Sequence, residues 1–598
     1  MFQAHWTREL LDCEFDRGIL LSMRNFFGLF GLLFGVTVLH SAAQTDFYVD
    51  PDWTGAQSGT ASQPWTSLTA GTWTTINASL AAGPVTVFLS ALKADQTQQS
   101  RAWYLHIQRS DYTANRLTMD GYSFYNASLT SPAWRANPQS NIAVAFTNHQ
   151  VFRLTGGGSC AIGWERRDGN DIVSSGGLTY YCISSHLASA ANQPGTGANW
   201  PLYWDQHGAG GAAWTSGASY KVGCKQDNVT LRGFEITGNV ARSSFAGDNF
   251  VWEHNYIHDI TGDGPGLSLL YTSYPDSSSS QMIARPSTNI TLRDFRIVNT
   301  TGEALYLGAI NPDATPAFQL AHGNQHSGIL ITNFYIYGAG ANGAQGDSID
   351  CKHGLTGLHI VDGEISFGIN GFGIILPETA IAVNQDNLVE RVLIHDLPLI
   401  ASEGGRAMTA TTDGATATSL WGHSGLTVRN CVVYNTDLGI LVGASQGHSL
   451  SNCAIYNCTV WNVGQYGVSM GANATGCFQK NNFCFKVGSP SGHANATGVL
   501  SDYNAWSGGT WDSPSEGPHT LNLTAAAASA AVVNLTSHDF HLAAGSPLLS
   551  AGAVLAGFSD DFDGRARPTS AAWDIGAYNH QGPLVTINPP PTNLRIAP

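Results

Sequence analysis

The sequence predicts an all-β protein that forms a parallel β-helix, a solenoid in which each coil stacks on the one before it. Strand patterns separated by Asn or Gly turns recur at intervals of roughly 20–30 residues, the period expected of a solenoid. Within each pattern, apolar and polar residues alternate, so that one set of side chains faces a shared core. The 67 glycines among 598 residues favour tight turns over long helices. A single coil cannot bury its apolar stripe alone, so we expect many coils to stack.

The composition limits the partners that this chain can bind. Hydrophobic residues make up 43% of the sequence, which allows a large core, and the formal net charge is −16. Nucleic acids and anionic membranes are poor partners, because their phosphates need a basic protein face. An acidic polysaccharide is compatible with this charge, since one local cluster of Lys, Arg or metal ions can bind it. We expect the protein to act on or bind a polysaccharide as a monomer.

Residues 1–43 predict export. Residues 23–25 supply a short positive region, residues 26–39 an apolar run, and residues 41–43 a small-residue cleavage site. The apolar run is shorter than the ~20 residues that cross a bilayer. We therefore interpret this segment as a signal peptide whose true start is Met23. The mature protein is expected to be secreted, extracellular or at the cell surface, without a membrane span.

Residues 44–154 predict the N-terminal cap and the first coils. A strand over 46–50, a helix over 73–82 and a buried strand over 85–89 follow one another. This order resembles the first segment of right-handed parallel β-helix proteins, in which a strand and a helix close the open end. The resemblance implies a right-handed solenoid with an N-terminal cap helix. Such a cap is needed because the first coil would otherwise expose its core and its backbone edge.

Residues 155–220 interrupt the repeat with a segment rich in Gly and aromatic residues. The segment looks like small β modules attached to carbohydrate-active and phage-tail proteins. Trp200 and Trp204 are its candidate sugar-binding residues, because aromatic faces pack against the C–H faces of sugars. The alternative is that these rings form the core of a small inserted module.

The repeats occupy residues 221–500. The pattern at 228–232, Asn-Val-Thr-Leu-Arg, returns at 289–293 as Asn-Ile-Thr-Leu-Arg, and further echoes start at residues 327, 357, 425 and 451. Parallel stacking sets equivalent residues of adjacent coils ~4.8 Å apart. Side chains at equivalent positions are therefore expected to form columns along the solenoid.

Residues 501–582 resemble the C-terminal closing segment of bacterial secreted β-helix proteins. Asp561 and Asp563 could bind calcium, but a structural cap formed with Arg565 and Arg567 is the better interpretation. Residues 583–598 are a Pro-rich tail.

The stretch 346–354, Gly-Asp-Ser-Ile-Asp-Cys-Lys-His-Gly, departs from its sibling strands. Ile349 and Cys351 alternate with Asp350 and Lys352, so the two charged residues are expected to point outward. Charged residues make up only 12% of the chain, which makes two on one strand notable. Where this strand has Lys352, sibling strands have Gly308, Gly443 and Gly471. The fold therefore does not require an amine at this position.

This stretch and the strand at 302–308 resemble what secreted pectate-lyase-like β-helix proteins carry. Several polysaccharide lyase families with that fold use a strand Lys as Brønsted base, with calcium or basic residues neutralising the uronate carboxylate. The resemblance implies a lyase in which Lys352 is the base and Asp350 a second catalytic residue. The implied substrate contacts are Tyr306, His322, His326 and His353. An Arg-His-Gly motif found downstream in alginate and chondroitin lyase relatives is absent, because residues 372–378 stand in its place.

The chemistry of β-elimination agrees with this assignment. The reaction needs a base beside a carboxylate and a cationic group that stabilises the resulting charge. A Lys acts as base only when its pKa is depressed, by a nearby cation or by desolvation. Glu303, Asp347 and Asp350 supply hard oxygen ligands, so we expect them to bind Ca²⁺.

Three alternatives remain open from the sequence. Asp350 and Lys352 could form a surface ion pair of little consequence. A glycoside hydrolase would need two carboxyl groups ~5–5.5 Å apart for retention or ~6.5–9.5 Å for inversion, and Glu303, Asp347, Asp350 and Glu378 are its candidates. A non-catalytic glycan binder or adhesin would use the aromatic insert alone.

Two long loops are predicted to wall the groove, at residues 309–325 and 401–423. The first contains His322 and ends just before His326. The second contains Arg406, which is the nearest candidate to clamp a substrate carboxylate.

Overall fold

Strands of successive coils pair in parallel and in register in the computed structural model, which confirms the predicted parallel β-helix. Gln44–Pro598 forms one unit. The structure describes residues 43–90, 105–108, 114–122, 124–125, 151–154, 158–163, 172–182, 186–206, 212–220, 227–238, 240–245, 247–262, 266–269, 273–275, 282–284, 287–307, 326–340, 346–351, 355–369, 371–376, 386–398, 405–410, 422–443, 450–471, 474–487, 492–494, 498–507 and 516–580. Within these ranges no helix has the length and apolar character needed to cross a membrane.

The N-terminal end of the solenoid is closed as predicted. Strand Thr45–Val49 pairs with Val85–Leu89, and helix Ala70–Ala82 lies between them in the chain. Thr69 caps this helix, because its hydroxyl accepts from the Thr72 N–H while the Thr72 hydroxyl accepts from the Thr69 N–H. The helix buries Trp73, Ile76 and Leu80 against the first coils.

The first sheet contains 21 of the described strands. They are Thr45–Val49, Val85–Leu89, Leu117–Asp120, Phe152–Leu154, Val229–Arg232, Phe234–Gly238, Val251–Glu253, Tyr256–Ile260, Thr288–Val298, His326–Tyr337, Leu355–Ser366, Leu388–His395, Thr427–Arg429, Val432–Thr436, Ala454–Tyr456, Thr459–Val463, Cys477–Lys480, Phe483–Val487, Val499–Asp502, Ala505–Ser507 and Leu521–Asn522. Most coils contribute two consecutive segments to this sheet.

From Val229 to Ser507, a bend at a residue with positive φ separates the two first-sheet segments of each described coil. This residue has φ of 74° at Gly233, 52° at Asn333 and 51° at Asn457. Gly and Asn adopt this left-handed conformation most readily, which explains the Asn and Gly turns of the sequence pattern. The bends stack into a column along the solenoid.

Buried Asn side chains fasten each coil to the one before it. Asn482 accepts a hydrogen bond from the Cys458 N–H at 3.0 Å and donates one to the Ile455 carbonyl at 2.9 Å. The same arrangement, with a backbone N–H and a backbone carbonyl of the preceding coil, recurs at Asn255 and Asn387. These amides satisfy backbone groups that the bends would otherwise leave unpaired inside the protein.

The second sheet contains 11 of the described strands. They are Leu105–His106, Gly158–Gly163, Val240–Phe245, Leu267–Leu269, Leu305–Leu307, Ile349–Cys351, Phe372–Ile375, Arg406–Ala410, Leu438–Val442, Val468–Met470 and Gly492–Ala494. A three-stranded sheet of short strands follows on part of the third side, at His423–Ser424, Leu450–Ser451 and Ala474–Thr475. A separate hairpin joins Ser273–Pro275 to Met282–Ala284.

The predicted register of the second sheet is confirmed, except that the prediction left out one strand. Leu305 pairs with Ile349, and Ile349 with Ile374, as the apolar alternation indicated. Ile374 then pairs with Met408 in strand Arg406–Ala410, which the sequence analysis had assigned to a loop over 401–423. That assignment is wrong, because Ala407, Met408 and Ala410 are buried in the core as in every other coil.

The aromatic insert begins later than the sequence placed it. Gly158–Gly163 pairs with Val240–Phe245 in the second sheet, so these residues belong to a coil. The insert itself has four strands, Ile172–Ser175, Leu178–Cys182, Trp204–Gln206 and Ala212–Ala213, with a two-stranded pair and two short 3₁₀ turns beside them, at His186–Leu187, Ser219–Tyr220, Ala190–Asn192 and Trp200–Leu202. Val173, Tyr180, Cys182, Ala188 and Trp204 form its own small core.

The C-terminal closing segment packs against the column of bends. It contains helix Ala525–Ala530 and the antiparallel strands Val532–Asn534 and Asp539–Leu542. Arg567 is fully buried and donates hydrogen bonds to Asn430 Oδ1 and to the Gly576 carbonyl, both at 3.1 Å. Asp561 accepts from the Arg565 N–H, which supports the structural interpretation of this Asp and Arg cluster.

The coil-fastening amides predict a large loss of stability on truncation. Asn482→Ala should leave two buried backbone groups unpaired, each costing about 1–3 kcal/mol of unfolding free energy. Asn534→Ala is the control, because Asn534 is exposed and bonds only its own turn; its effect should stay within about 0.5 kcal/mol. Urea unfolding of the three proteins measures the difference, and equal midpoints for the two variants would contradict this account.

The closing segment also predicts a pH dependence of stability. Hydrogen bonds that the His541 ring donates to Asp563 and Asp539 outweigh partial burial and raise the pKa of His541 to about 9. An unfolded His has a pKa of about 6.5, so this stabilisation is fully present below that pH and is lost as the pH rises through 9. The thermal midpoint should fall over this interval in the wild type, and His541→Gln should flatten that part of the profile. A profile of unchanged slope in the variant would rule out His541 as the cause.

Candidate active site

The candidate site lies on the outward side of the second sheet. We call the site face the set made of Tyr306, Asp350, Ile375 and Thr409, which alternate with core residues, and of Glu303, Asp347, Phe372 and Arg406 at or just before the starts of these strands. Tyr306 and Asp350 are paired in register, and Asp350 is paired in turn with Ile375. Their strand neighbours Leu305 and Ile349 lie in the core, so the predicted alternation is borne out here. Lys352, His353 and His322 lie outside the described residues.

Asp350 is buried although it faces away from the core. It is 1% exposed, while its in-register neighbours Tyr306 and Ile375 are half-buried and 4% exposed. A surface ion pair between solvated groups would leave the carboxylate in water, so this burial does not fit that alternative. Burial of a carboxyl group away from water costs free energy. The presence of Asp350 at this position therefore indicates a functional role.

Asp347 connects its coil to the next. Its side chain is fully buried, and Oδ1 accepts a hydrogen bond from the Phe372 N–H at 2.7 Å. The neighbouring Ser348 N–H donates to the Phe372 carbonyl at 2.8 Å. Asp347 therefore has a structural role at the start of the strand, whatever else it does.

Glu303 and Asp347 occupy equivalent positions in adjacent coils, as the sequence predicted. The Ala304 N–H donates to the Asp347 carbonyl at 3.0 Å, which fixes this alignment. Glu303 is half-buried, so it is the more accessible carboxylate of the two. The pair has the spacing of one coil, ~4.8 Å between equivalent backbone positions.

The calcium site predicted at Glu303, Asp347 and Asp350 stays a prediction. Among the described residues, which include Glu303, Asp347 and Asp350, no three His, Cys, Asp or Glu side chains are grouped so that they could hold a metal ion. One oxygen of Asp347 is already occupied by a backbone N–H. No step proposed below is therefore routed through calcium.

Arg406 brings a positive charge to the site face. It pairs in register with Phe372, and its guanidinium carbon lies 5.1 Å from the centre of the Phe372 ring. Asp347, Phe372 and Arg406 belong to three successive coils, so Arg406 stands about 10 Å along the solenoid from Asp347. Phe372 was missed as a site residue, because its spacing of two residues from Ile374 gives it the pattern of a core residue.

Two predicted substrate contacts are wrong. His326 is fully buried at the start of its strand, where Nδ1 accepts from the Ser287 N–H at 3.0 Å. Trp204 is 1% exposed in the core of the insert, and its Nε1–H donates to the Asn192 carbonyl. Trp200 is half-buried and packs edge-on against Tyr180 at 5.4 Å. His and Trp serve equally well inside a core and on a binding surface, so residue type alone could not separate the two roles.

Comparison with known proteins gives similarity at the level of structure. The sequence matches no protein-family model and no curated protein sequence. A Paenibacillus alginate lyase is 12% identical, with a TM-score of 0.31 over 71% of this chain and 96% of that chain. A pectate lyase is 11% identical, with a TM-score of 0.34 over 90% and 97%. A lacto-N-biosidase from Eubacterium ramulus is 11% identical, with a TM-score of 0.36 over 81% and 72%. At these values function has to be inferred from the site face itself.

Proposed function

We propose that the protein cleaves a uronate-containing polysaccharide by β-elimination on the site face, with Lys352 as the base. The observation that carries the proposal is the location of Arg406 in a strand of this face. A guanidinium group there is suited to a carboxylate of a chain that lies along the coils, because it can bind both oxygens at once. Neither Arg406 nor Asp350 contributes to the apolar core, so folding alone does not explain them.

The reaction requires three tasks of the protein. The base removes the proton from the carbon next to the carboxylate, that electron pair forms the new carbon–carbon double bond, and the bond from the next carbon to the departing sugar oxygen breaks. The departing oxygen then receives a proton. Arg406 is assigned to the carboxylate, whose negative charge grows as the proton leaves. Lys352 is assigned to the first proton transfer and must be neutral to perform it.

Asp350 is assigned to the second proton transfer. By the strand alternation it shares its side with Lys352, and its in-register neighbour Tyr306 offers a phenolic hydroxyl one coil away. Among the described residues of the site face, Asp350 and Tyr306 are the two side chains at this register position that can exchange a proton. Asp350 lies away from water, where a transferred proton is not lost to bulk solvent.

A glycoside hydrolase is the second candidate, because Glu303 and Asp347 are aligned. Equivalent positions ~4.8 Å apart are close to the ~5–5.5 Å separation of carboxyl groups in retaining enzymes. The hydrogen bond that Asp347 Oδ1 accepts from the Phe372 N–H weighs against a nucleophile at this position. The lyase assignment is therefore preferred.

Removing the proposed base provides the main test. Lys352→Ala should lower kcat on polygalacturonate or alginate by a factor of about 10²–10⁴, the usual contribution of a general base. The thermal midpoint should hardly change, because sibling coils have Gly at this position. Ultraviolet absorbance of the new double bond follows the reaction. Full activity of the variant would overturn the lyase assignment, and release of reducing ends without absorbance would favour the hydrolase.

Arg406 has a matched control in the same chain. Lys480 lies 5.1 Å above the Phe478 ring, the same distance as Arg406 above Phe372, but it belongs to the first sheet. Arg406→Ala should lower kcat/KM by about 10–100-fold, as expected for the loss of a hydrogen-bonded ion pair with substrate. Lys480→Ala should leave kcat/KM unchanged. Equal losses in both variants would assign the effect to the fold and not to the substrate.

A further inference from the structure

Phe367 breaks a regular feature of the corner between the first and second sheets. Residues at equivalent positions of this corner have a positive φ, 53° at Asn299, 67° at Gly338 and 52° at Asp396. Further members of the column are Asp259, Asn435 and Asn462. All of them are Asp, Asn or Gly, the residues that adopt this conformation with least strain. Phe367 takes the same position with φ of 54°.

The substitution of an aromatic residue here has two costs. A bulky side chain at positive φ is strained. The column is also held by amide hydrogen bonds between coils, such as Asn435 Nδ2 to Asp396 Oδ1 at 2.7 Å and Asn462 Nδ2 to Asn435 Oδ1 at 2.6 Å. A Phe side chain can neither donate nor accept such a bond. The fold is therefore weaker at this corner for having Phe367.

The ring of Phe367 is displayed to solvent. It is 44% exposed, and among the large hydrophobic side chains that the described residues leave exposed it is the one aromatic. Its ring centre lies 5.1 Å from that of Tyr337 and 6.5 Å from that of His395. We call Tyr337, Phe367 and His395 the corner platform. Strand pairing places these three residues in successive coils.

The surroundings of the platform are polar and fixed. His395 Nε2 lies 3.1 Å from Glu364 Oε1, and Nδ1 lies 2.7 Å from Asp396 Oδ2. Burial lowers the pKa of His395, but these two hydrogen bonds outweigh it and raise the pKa above its ordinary value. The His395 ring also stacks on Tyr434 at 4.8 Å. The exposed ring of Phe367 thus lies next to Tyr337 and His395, and the His395 ring is held by hydrogen bonds to the carboxylates of Glu364 and Asp396.

This arrangement matches the chemistry of a sugar ring. A pyranose has an apolar C–H face and an edge of hydroxyl groups, which suit an aromatic face and nearby oxygen acceptors respectively. A contact between two copies of the chain needs a much larger apolar area than one ring, on the order of 800 Å² per partner. Residues 368–371 connect the platform to Phe372, so it adjoins the edge of the site face.

We propose that the corner platform is a second glycan-binding site, at which a pyranose ring stacks on Phe367. It is separate from the site face and does not depend on cleavage there. Its role is to hold a polysaccharide chain beside the site face, whether or not the same chain is cut. The strain at Phe367 is retained because Asn, which fits the corner better, has no ring to offer.

The test relies on one substitution at Phe367 that is expected to stabilise the fold and to weaken glycan binding. In a Lys352→Ala parent, which prevents turnover, Phe367→Asn restores the residue type of the column. It should raise the thermal midpoint and weaken binding by about tenfold, the contribution of one aromatic stack. Phe367→Trp should retain binding. Leu500→Asn is the control at another exposed apolar side chain, 60% exposed on the first sheet, and should leave binding unchanged.

Affinity electrophoresis in polygalacturonate, alginate and arabinoxylan measures binding, with sedimentation as a check on association between copies. Loss of affinity for at least one polymer together with a higher thermal midpoint in Phe367→Asn is the expected result. Unchanged affinity, or no affinity of the parent for any of the three polymers, would overturn the proposal. So would a parent that sediments as a dimer and a Phe367→Asn variant that sediments as a monomer without change in glycan binding. These readouts measure binding and stability, and the ultraviolet and reducing-end assays on the Lys352→Ala parent show separately whether turnover has stopped. Failure of the lyase assignment is therefore distinguished from failure of this proposal.

Discussion

In-register parallel stacking is the constraint on which this structure depends. Each coil has an apolar inner surface that only the adjacent coils can cover, and the bends leave backbone groups that Asn482 and its equivalents satisfy. A coil out of register by one residue would turn its inner side chains outward. Register is therefore fixed throughout the solenoid, and it determines which outward side chains become neighbours. The closing segment, anchored by Arg567 on the bends, protects the C-terminal end of the stack.

Much of this architecture could be predicted because register is visible in the sequence. The alignment of Leu305 with Ile349, and of Glu303 with Asp347, follows from apolar alternation between short turns. Strand Arg406–Ala410 was missed because its inner residues are two alanines and one methionine, a weak strand signal next to Gly-rich sequence. Arg406 was consequently predicted in a loop, although its proposed contact with substrate did not depend on that placement.

The site was less predictable than the fold for a different reason. His326 and Trp204 have side chains that can either bind a ligand or fill a core, and only packing decides between these roles. Asp350 was expected to face outward, but the sequence gives no sign that an outward carboxylate would be buried. Phe367 was not found, because its significance appears only when the column of Asn, Asp and Gly at its corner is known.

The regular rise of the coils also limits how such a protein can change. Side chains on the site face, such as Asp350 and Arg406, can be moved apart along the axis only by whole coils, since partial shifts break the register. Distances between functional groups along the solenoid axis therefore change only in steps of one coil, ~4.8 Å. Duplication or loss of one coil would alter the spacing of two subsites by one step while preserving the immediate surroundings of each. Under the proposed function, the number of coils between two groups therefore determines how far apart along a bound polysaccharide they act.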